Sequence, residues 1–217
     1  MAFTYKANRK HFNRFMLLAS LTLPSCLLGK LLHAQQIMDK PSDSTLIENT
    51  LIEEARKNTK SLGSALKHRL QQAIKSGGLE AGVDECHIAA EPIALDLSNN
   101  GWTVRRTALK VRNPNNTPDD WEREQLEVFA QVLNEQLQQN EKAPATAPQE
   151  ATQYNEITGE FRYMRAIPTQ QVCMACHGET VAPSVKARID KHYPHDQATG
   201  FTLGELRGAF TLTYSPQ

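Results

Sequence analysis

Cys173, Met174, Ala175, Cys176 and His177 spell Cys-x-x-Cys-His, and no other stretch of the chain restricts its fold as strongly. Two thiols separated by two residues reach the two vinyl groups of one porphyrin, and the adjacent imidazole then falls under the iron as its proximal ligand. The motif therefore predicts a fold built around one covalent c-type haem. Two other chemistries use the same residue types. A redox disulfide between Cys173 and Cys176 needs a strand-to-helix turn inside alternating β and α units, which the flanking sequence does not show. Half of a zinc site needs a second ligand pair at comparable spacing, and His192 and His195 supply that poorly.

Bacterial haem attachment to thiols takes place outside the cytoplasm, so the motif demands an export signal. Lys6, Arg9, Lys10 and Arg14 form a basic region, Phe15 to Leu28 an apolar one, and Leu32-His33-Ala34 a small-residue cleavage site before Gln35. Residues 1–34 read as a signal peptide and residues 35–217 as a single domain in the periplasm. Pro24 and Lys30 interrupt the apolar run, which falls short of the roughly 20 residues that span a bilayer. Leu23-Pro24-Ser25-Cys26 also resembles a lipoprotein box, so membrane association is expected only through an uncleaved signal or a lipidated Cys26. The 24 basic and 24 acidic residues balance, which gives no reason to expect nucleic acid as a partner. Apart from Cys26 and the motif pair, the only thiol is Cys86, and an odd cysteine in an exported protein calls for an explanation.

From Asp43 to Ser76, the apolar residues Leu46, Ile47, Leu51, Ile52, Ala55, Leu62, Leu66, Leu70 and Ile74 recur at helical spacing. Ser42 to Ser44 open this long N-terminal helix, Gly77-Gly78 close it, and a kink is expected near Gly63. Its stripe serves the core, with a dimer contact as the sharper alternative, and His68 falls on its surface. Leu79 to Asn99 forms a second helical region with a break at Pro92. Residues 101–112 favour a strand ended by the Asn113-Pro114-Asn115-Asn116 turn. A helix follows, with Thr117 as its cap, Pro118 first, Asp119 and Asp120 in its opening turn, and Trp121, Leu126, Phe129, Val132, Leu133 and Leu137 as its buried face. Residues 141–153 read as a flexible loop or insertion. Alternation from Phe161 to Ile167 and from Leu206 to Tyr214 predicts strands, and Val181 to His192 a short helix. Strands without regular crossover helices predict an α+β fold, an antiparallel sheet flanked by helices.

Four stretches, in order, carry a family resemblance: Arg106 to Asn116 with Trp121, Phe161-Arg162-Tyr163 leading into Cys173 to Gly178, Tyr193 to Phe201, and Gly204 to Gly208. Over residues 45–214 the chain resembles a family of bacterial exported c-type haem-binding domains with a PAS-like fold. The resemblance implies a PAS-like antiparallel sheet enclosing one haem, a role in redox or ligand sensing, and His/Cys iron coordination with His177 proximal and Cys86 distal. A thiolate suits ferric iron and lowers its potential. His87, Met164, His192 and His195 compete with Cys86 as ligands, and a buried, inert Cys86 is the bland alternative. Arg105, Arg106, Lys110, Arg112, Arg162 and Arg165 are candidates to pair with the haem propionates.

No catalytic triad, phosphate-binding glycine loop or readable carboxylate pair is present, so no enzymatic activity is expected. Two functions remain, beside the bland option of a haem-stabilised binding module for a small molecule. The chain is either a haem sensor of redox state or of a diatomic ligand, or a small periplasmic electron-transfer cytochrome c working with a redox partner protein.

Overall fold

The computed structural model describes residues 42–139 and 149–217. The expected signal peptide, Cys26, and residues 141–148 of the expected loop lie outside these residues.

Helix α1 (Asp43–Leu97) begins where the Ser42 hydroxyl accepts the Thr45 N–H at 3.2 Å. It is not one straight rod. Gly77 and Gly78 leave helical geometry, Gly78 at φ 78° and ψ −170°, a combination essentially confined to glycine. Arg69 pairs with Glu85 across this point, whereas sixteen residues of straight helix span about 24 Å. Gly82 lies so close to Ile74 and Leu70 that a Cβ there would stand 2.8 Å and 3.1 Å from their side chains. The chain therefore folds back into a helical hairpin whose arms are residues 43–76 and 79–97, as the Gly77-Gly78 break predicts. Gly63, by contrast, keeps helical geometry, and its missing side chain makes room for the Phe210 ring. Pro92 does not end the second arm, which continues to Leu97.

The strands are β1 (Trp102–Thr107), β2 (Glu150–Tyr154), β3 (Phe161–Pro168) and β4 (Leu206–Tyr214). They form one antiparallel sheet in the order β1-β4-β3-β2. Two of them differ from expectation. β1 stops at Thr107, well short of Arg112. The segment expected to be loop up to Gln153 instead supplies β2, whose Glu150 to Tyr154 pair with Arg165 to Phe161. Glu-Ala-Thr-Gln-Tyr lacks an alternating apolar pattern, and its strand state comes from the ladder offered by β3.

Side-chain alternation gives the sheet two buried faces. On one, Trp102, Val104, Phe161, Tyr163 and Leu212 pack against Leu51, Ala55 and Leu62 of the first arm, with Ile93, Ala94 and Leu97 of the second arm beside them. On the other, Met164, Ala166 and Ala209 meet Leu126 and Phe129 of α2 (Asp120–Gln139). Each large side chain fully buried here contributes about 1.5–3 kcal/mol. The fold is α+β, a four-stranded antiparallel sheet flanked by helices.

The start of α2 also differs from expectation. Its cap is Asp119, which exchanges bonds with Glu122: the Glu122 N–H donates to Asp119 Oδ1 at 2.9 Å and the Asp119 N–H to Glu122 Oε2 at 3.1 Å. Thr117 instead closes the 3-10 turn Pro114–Asn116, and Pro118 lies outside the helix. Trp121 is only half-buried and Leu137 is exposed. No described helix is long and apolar enough to cross a membrane.

A third cluster positions the motif. Val83 and Leu79 of the second arm pack on Val185, Ile189 and Tyr193 of α4 (Pro183–His192) and its end, together with Val181 and Cys176.

Candidate functional site

After β3 the chain enters a 3-10 turn, Gln171–Cys173, and then the short helix α3 (Met174–His177). Residues three and four apart on a helical turn share a face, so Cys173, Cys176 and His177 project to one side. All three described cysteines are free thiols. Gly178 ends the turn with its N–H on Met174 O at 2.9 Å, in a spot where a Cβ would stand 2.6 Å from that oxygen. Only glycine allows this approach.

The segment between α4 and β4 clasps the motif from outside. Phe201 N–H donates to His177 O and Gly200 N–H to Gly178 O, each at 3.0 Å, while Gln197 N–H ties the segment to Val111 O at 2.9 Å. Ala198 O lies 2.7 Å from His177 Nδ1.

That contact decides the tautomer of His177. Two acceptors cannot lie 2.7 Å apart without a proton between them, so Nδ1–H donates to Ala198 O. Nε2 is left with its lone pair, which faces Arg112 Nη1 at 3.4 Å. The other tautomer would leave the Ala198 carbonyl against a lone pair and set an Nε2–H against the Arg112 guanidinium. In the favoured tautomer the Arg207 Nε–H, 3.1 Å from Nδ1, is a close approach of two donors rather than a bond. Burial, reinforced by Arg207 and then Arg112, holds the imidazole pKa well below its ordinary value, so His177 stays neutral. A neutral imidazole with Nδ1–H on a carbonyl and a free Nε2 is a prepared metal ligand.

Cys86, on the second arm of α1, lies within electrostatic reach of Cys176, Arg106, Arg112 and Arg207. Its side chain has open surface, so it is not an inert core cysteine. Surrounding atoms nonetheless desolvate the thiol and push its pKa up, against the pull of Arg106 and then Arg112. Among the expected competitors, Met164 is fully buried under Leu126 and Phe129 on the sheet face away from the α1 hairpin. His87 is engaged on the α4 side, with Nδ1 3.2 Å from the Tyr193 hydroxyl and its ring stacked on His192 at 4.4 Å. His192 in turn donates to Asp84 at 2.7 Å, and His195 is exposed. Among the described residues no three His, Cys, Asp or Glu side chains converge to hold a metal ion on their own.

The expected cation set divides. Arg105 and Arg162 serve Glu122 and Asp119, and Arg165 lies beside Glu150. Lys110 donates to Thr199 O and covers the Phe201 ring. Only Arg106 and Arg112 belong to the site. The Arg106 side chain makes no hydrogen bond or ion pair among the described residues, and burial lowers its pKa. Arg207 is the residue that sequence reasoning missed: alternation assigned it to the outer face of β4, yet it stands beside His177. Burial, with repulsion from Arg112 and Arg106, lowers its pKa to about 10. Three guanidiniums, with the carboxylate of Asp196 paired to one of them, leave excess positive charge in a desolvated place, an imbalance that an anionic group would relieve.

No curated protein matches the chain. A similar solved structure is that of the cyanobacterial heme-protein Tll0287, 25% identical, covering 81% of this chain and 97% of that one at a TM-score of 0.44. A family model matches residues 34–215, and the chain belongs to the Tll0287-like family.

Proposed function

We propose that this protein is an exported, non-enzymatic mono-haem c-type protein that senses redox state or a diatomic ligand. The observation that carries the haem reading is the prepared Nε2 of His177, set on the same helical face as two free thiols. Cys173 and Cys176 would hold the porphyrin through thioethers, and His177 Nε2 would ligate the iron in place of its contact with Arg112 Nη1. Arg106 and Arg207 supply the unmatched positive charge that haem carboxylates need. When bound, such a haem supplies one-electron chemistry and an axial position for a second ligand. Family membership agrees with this reading, since the family bears the name of Tll0287, described as a cyanobacterial heme-protein.

A PAS-like description suits the antiparallel sheet with helices on both faces, and Cys86 is our distal ligand. Sensing is preferred to electron transfer because of where Cys86 sits. Its arm leaves the first arm through the Gly77-Gly78 turn and rests on α4 through the apolar contacts of Leu79 and Val83 and through polar contacts beside them. Asp84 binds His192, His87 meets Tyr193, and the Ser184 hydroxyl binds Glu80 and lowers its pKa. A change at Cys86 is thereby delivered to α4, the kind of two-state element a switch requires.

The test is expression with haem-maturation machinery followed by acid-acetone extraction. Haem retained by the polypeptide, and lost in the Cys173→Ala/Cys176→Ala double variant, supports the reading; haem extracted from the wild type refutes it. Carbon monoxide binding by the reduced protein supports sensing, whereas fast reversible electron exchange without ligand binding supports a cytochrome.

A further inference from the structure

The carbonyl that orients His177 is itself gripped at both ends of its residue. Asp196 Oδ1 accepts the Ala198 N–H at 2.9 Å, and Arg112 Nη2 donates to Ala198 O at 3.3 Å. Arg112 and Asp196 are joined by two bonds, Nε to Oδ1 at 3.0 Å and Nη2 to Oδ2 at 3.1 Å. Their side chains are 12% and 2% exposed. Arg112 Nη2 also reaches Cys176 O at 2.8 Å, and Nη1 lies 3.4 Å from His177 Nε2. One planar fork thus touches the motif backbone and the carbonyl that receives the His177 proton, while its Nη1 contact with Nε2 is the one that iron would replace. A lysine ammonium, a single point of charge, cannot reproduce that set. The interlock is more than His177 needs to be packed in place, and it sets one positive and one negative charge beside the ligand.

We propose that Arg112 and Asp196 are positioning residues that fix the His177 tautomer through Ala198 and tune the bound haem in opposite directions. Arg112 acts in two ways of the same sign. It draws on the Ala198 carbonyl, so that carbonyl accepts the Nδ1–H less strongly and the imidazole is a weaker electron donor. Its cation also disfavours the extra positive charge of ferric iron. Both raise the reduction potential. Asp196 opposes this by neutralising the guanidinium.

This inference rests on the haem reading, and its test keeps the two apart. Covalent haem in the wild type is established first, and its absence overturns both. Redox titration of the holoproteins then compares Arg112→Gln, which removes the cation, with Asp196→Asn, which retains an acceptor for the Ala198 N–H. The first should shift the potential down and the second up, with the Arg112→Gln/Asp196→Asn double variant returning toward wild type. A purely structural role would loosen the packing and admit water, moving both variants the same way. Shifts of equal sign, or none, in proteins that retain haem c overturn the proposal alone. If Arg112→Gln does not fold, the sign of the shift in Asp196→Asn decides.

Discussion

Replacing Gly78 by alanine tests the turn that brings Cys86 to the motif. Space is not the obstacle, because the nearest atom to the added Cβ is Glu80 Oε2 at 3.5 Å, an ordinary contact. The backbone is: at φ 78° and ψ −170° an L side chain costs about 1–3 kcal/mol. Alanine recovers about 0.4–1 kcal/mol by restricting the unfolded chain. The net loss is about 0–2.6 kcal/mol, and at roughly 2–4 °C per kcal/mol for a domain of this size the melting midpoint should fall by up to about 10 °C. If the strain is relieved by opening the hairpin instead, the Arg69–Glu85 pair breaks and Cys86 leaves the site, so the ferric absorption spectrum changes as well. Calorimetry and absorption of the holoprotein read both. A midpoint that rises by the amount expected for glycine to alanine inside a helix would refute the left-handed turn as the basis of the hairpin.

Cys86→Ser should remove a thiolate signature from the ferric electron paramagnetic resonance spectrum and raise the reduction potential; a spectrum and potential like the wild type would end the case for Cys86 as a ligand. Glu122, 1% exposed, accepts from the half-exposed Arg105 at 2.6 Å and from the buried Thr211 hydroxyl at 2.7 Å, so Glu122→Ala should cost about 1–3 kcal/mol in urea unfolding, and no loss would contradict its place in the core. Burial pushes the Glu150 carboxyl up, but bonds from Arg56 and Tyr163 outweigh it and leave the pKa below the ordinary value. The unfolded chain therefore binds this proton first, and the stabilisation is complete above about pH 4.3 and lost as pH falls through the folded value. Glu150→Gln should flatten the acid limb of stability against pH, and an unaltered slope there would rule Glu150 out as its source.

Local chemistry made much of this protein legible in its sequence. The Cys-x-x-Cys-His spacing places two thiols and an imidazole on one helical face wherever the segment lies, because helix geometry is local. Gly77-Gly78 marks the break in α1 for the same reason: the conformation required is one that other residues avoid. β3 and β4 were readable because large apolar residues recur at alternate positions in the sequence, although both faces of the sheet are buried. What the sequence could not show depends on partners distant in the chain. β2 is a strand only because β3 offers it a ladder, and Asp119 displaces Thr117 as a cap because Glu122 completes the box and is drawn into the core by Arg105 and Thr211. Arg207 has the same alternation as a solvent-facing residue, and only the clasp of residues 196–201 around α3 turns its neighbourhood into the surroundings of His177. The tautomer of that histidine, and with it the free Nε2, was decided by a carbonyl twenty-one residues away, since a hydrogen bond across the fold leaves no periodicity or spacing in the chain that makes it.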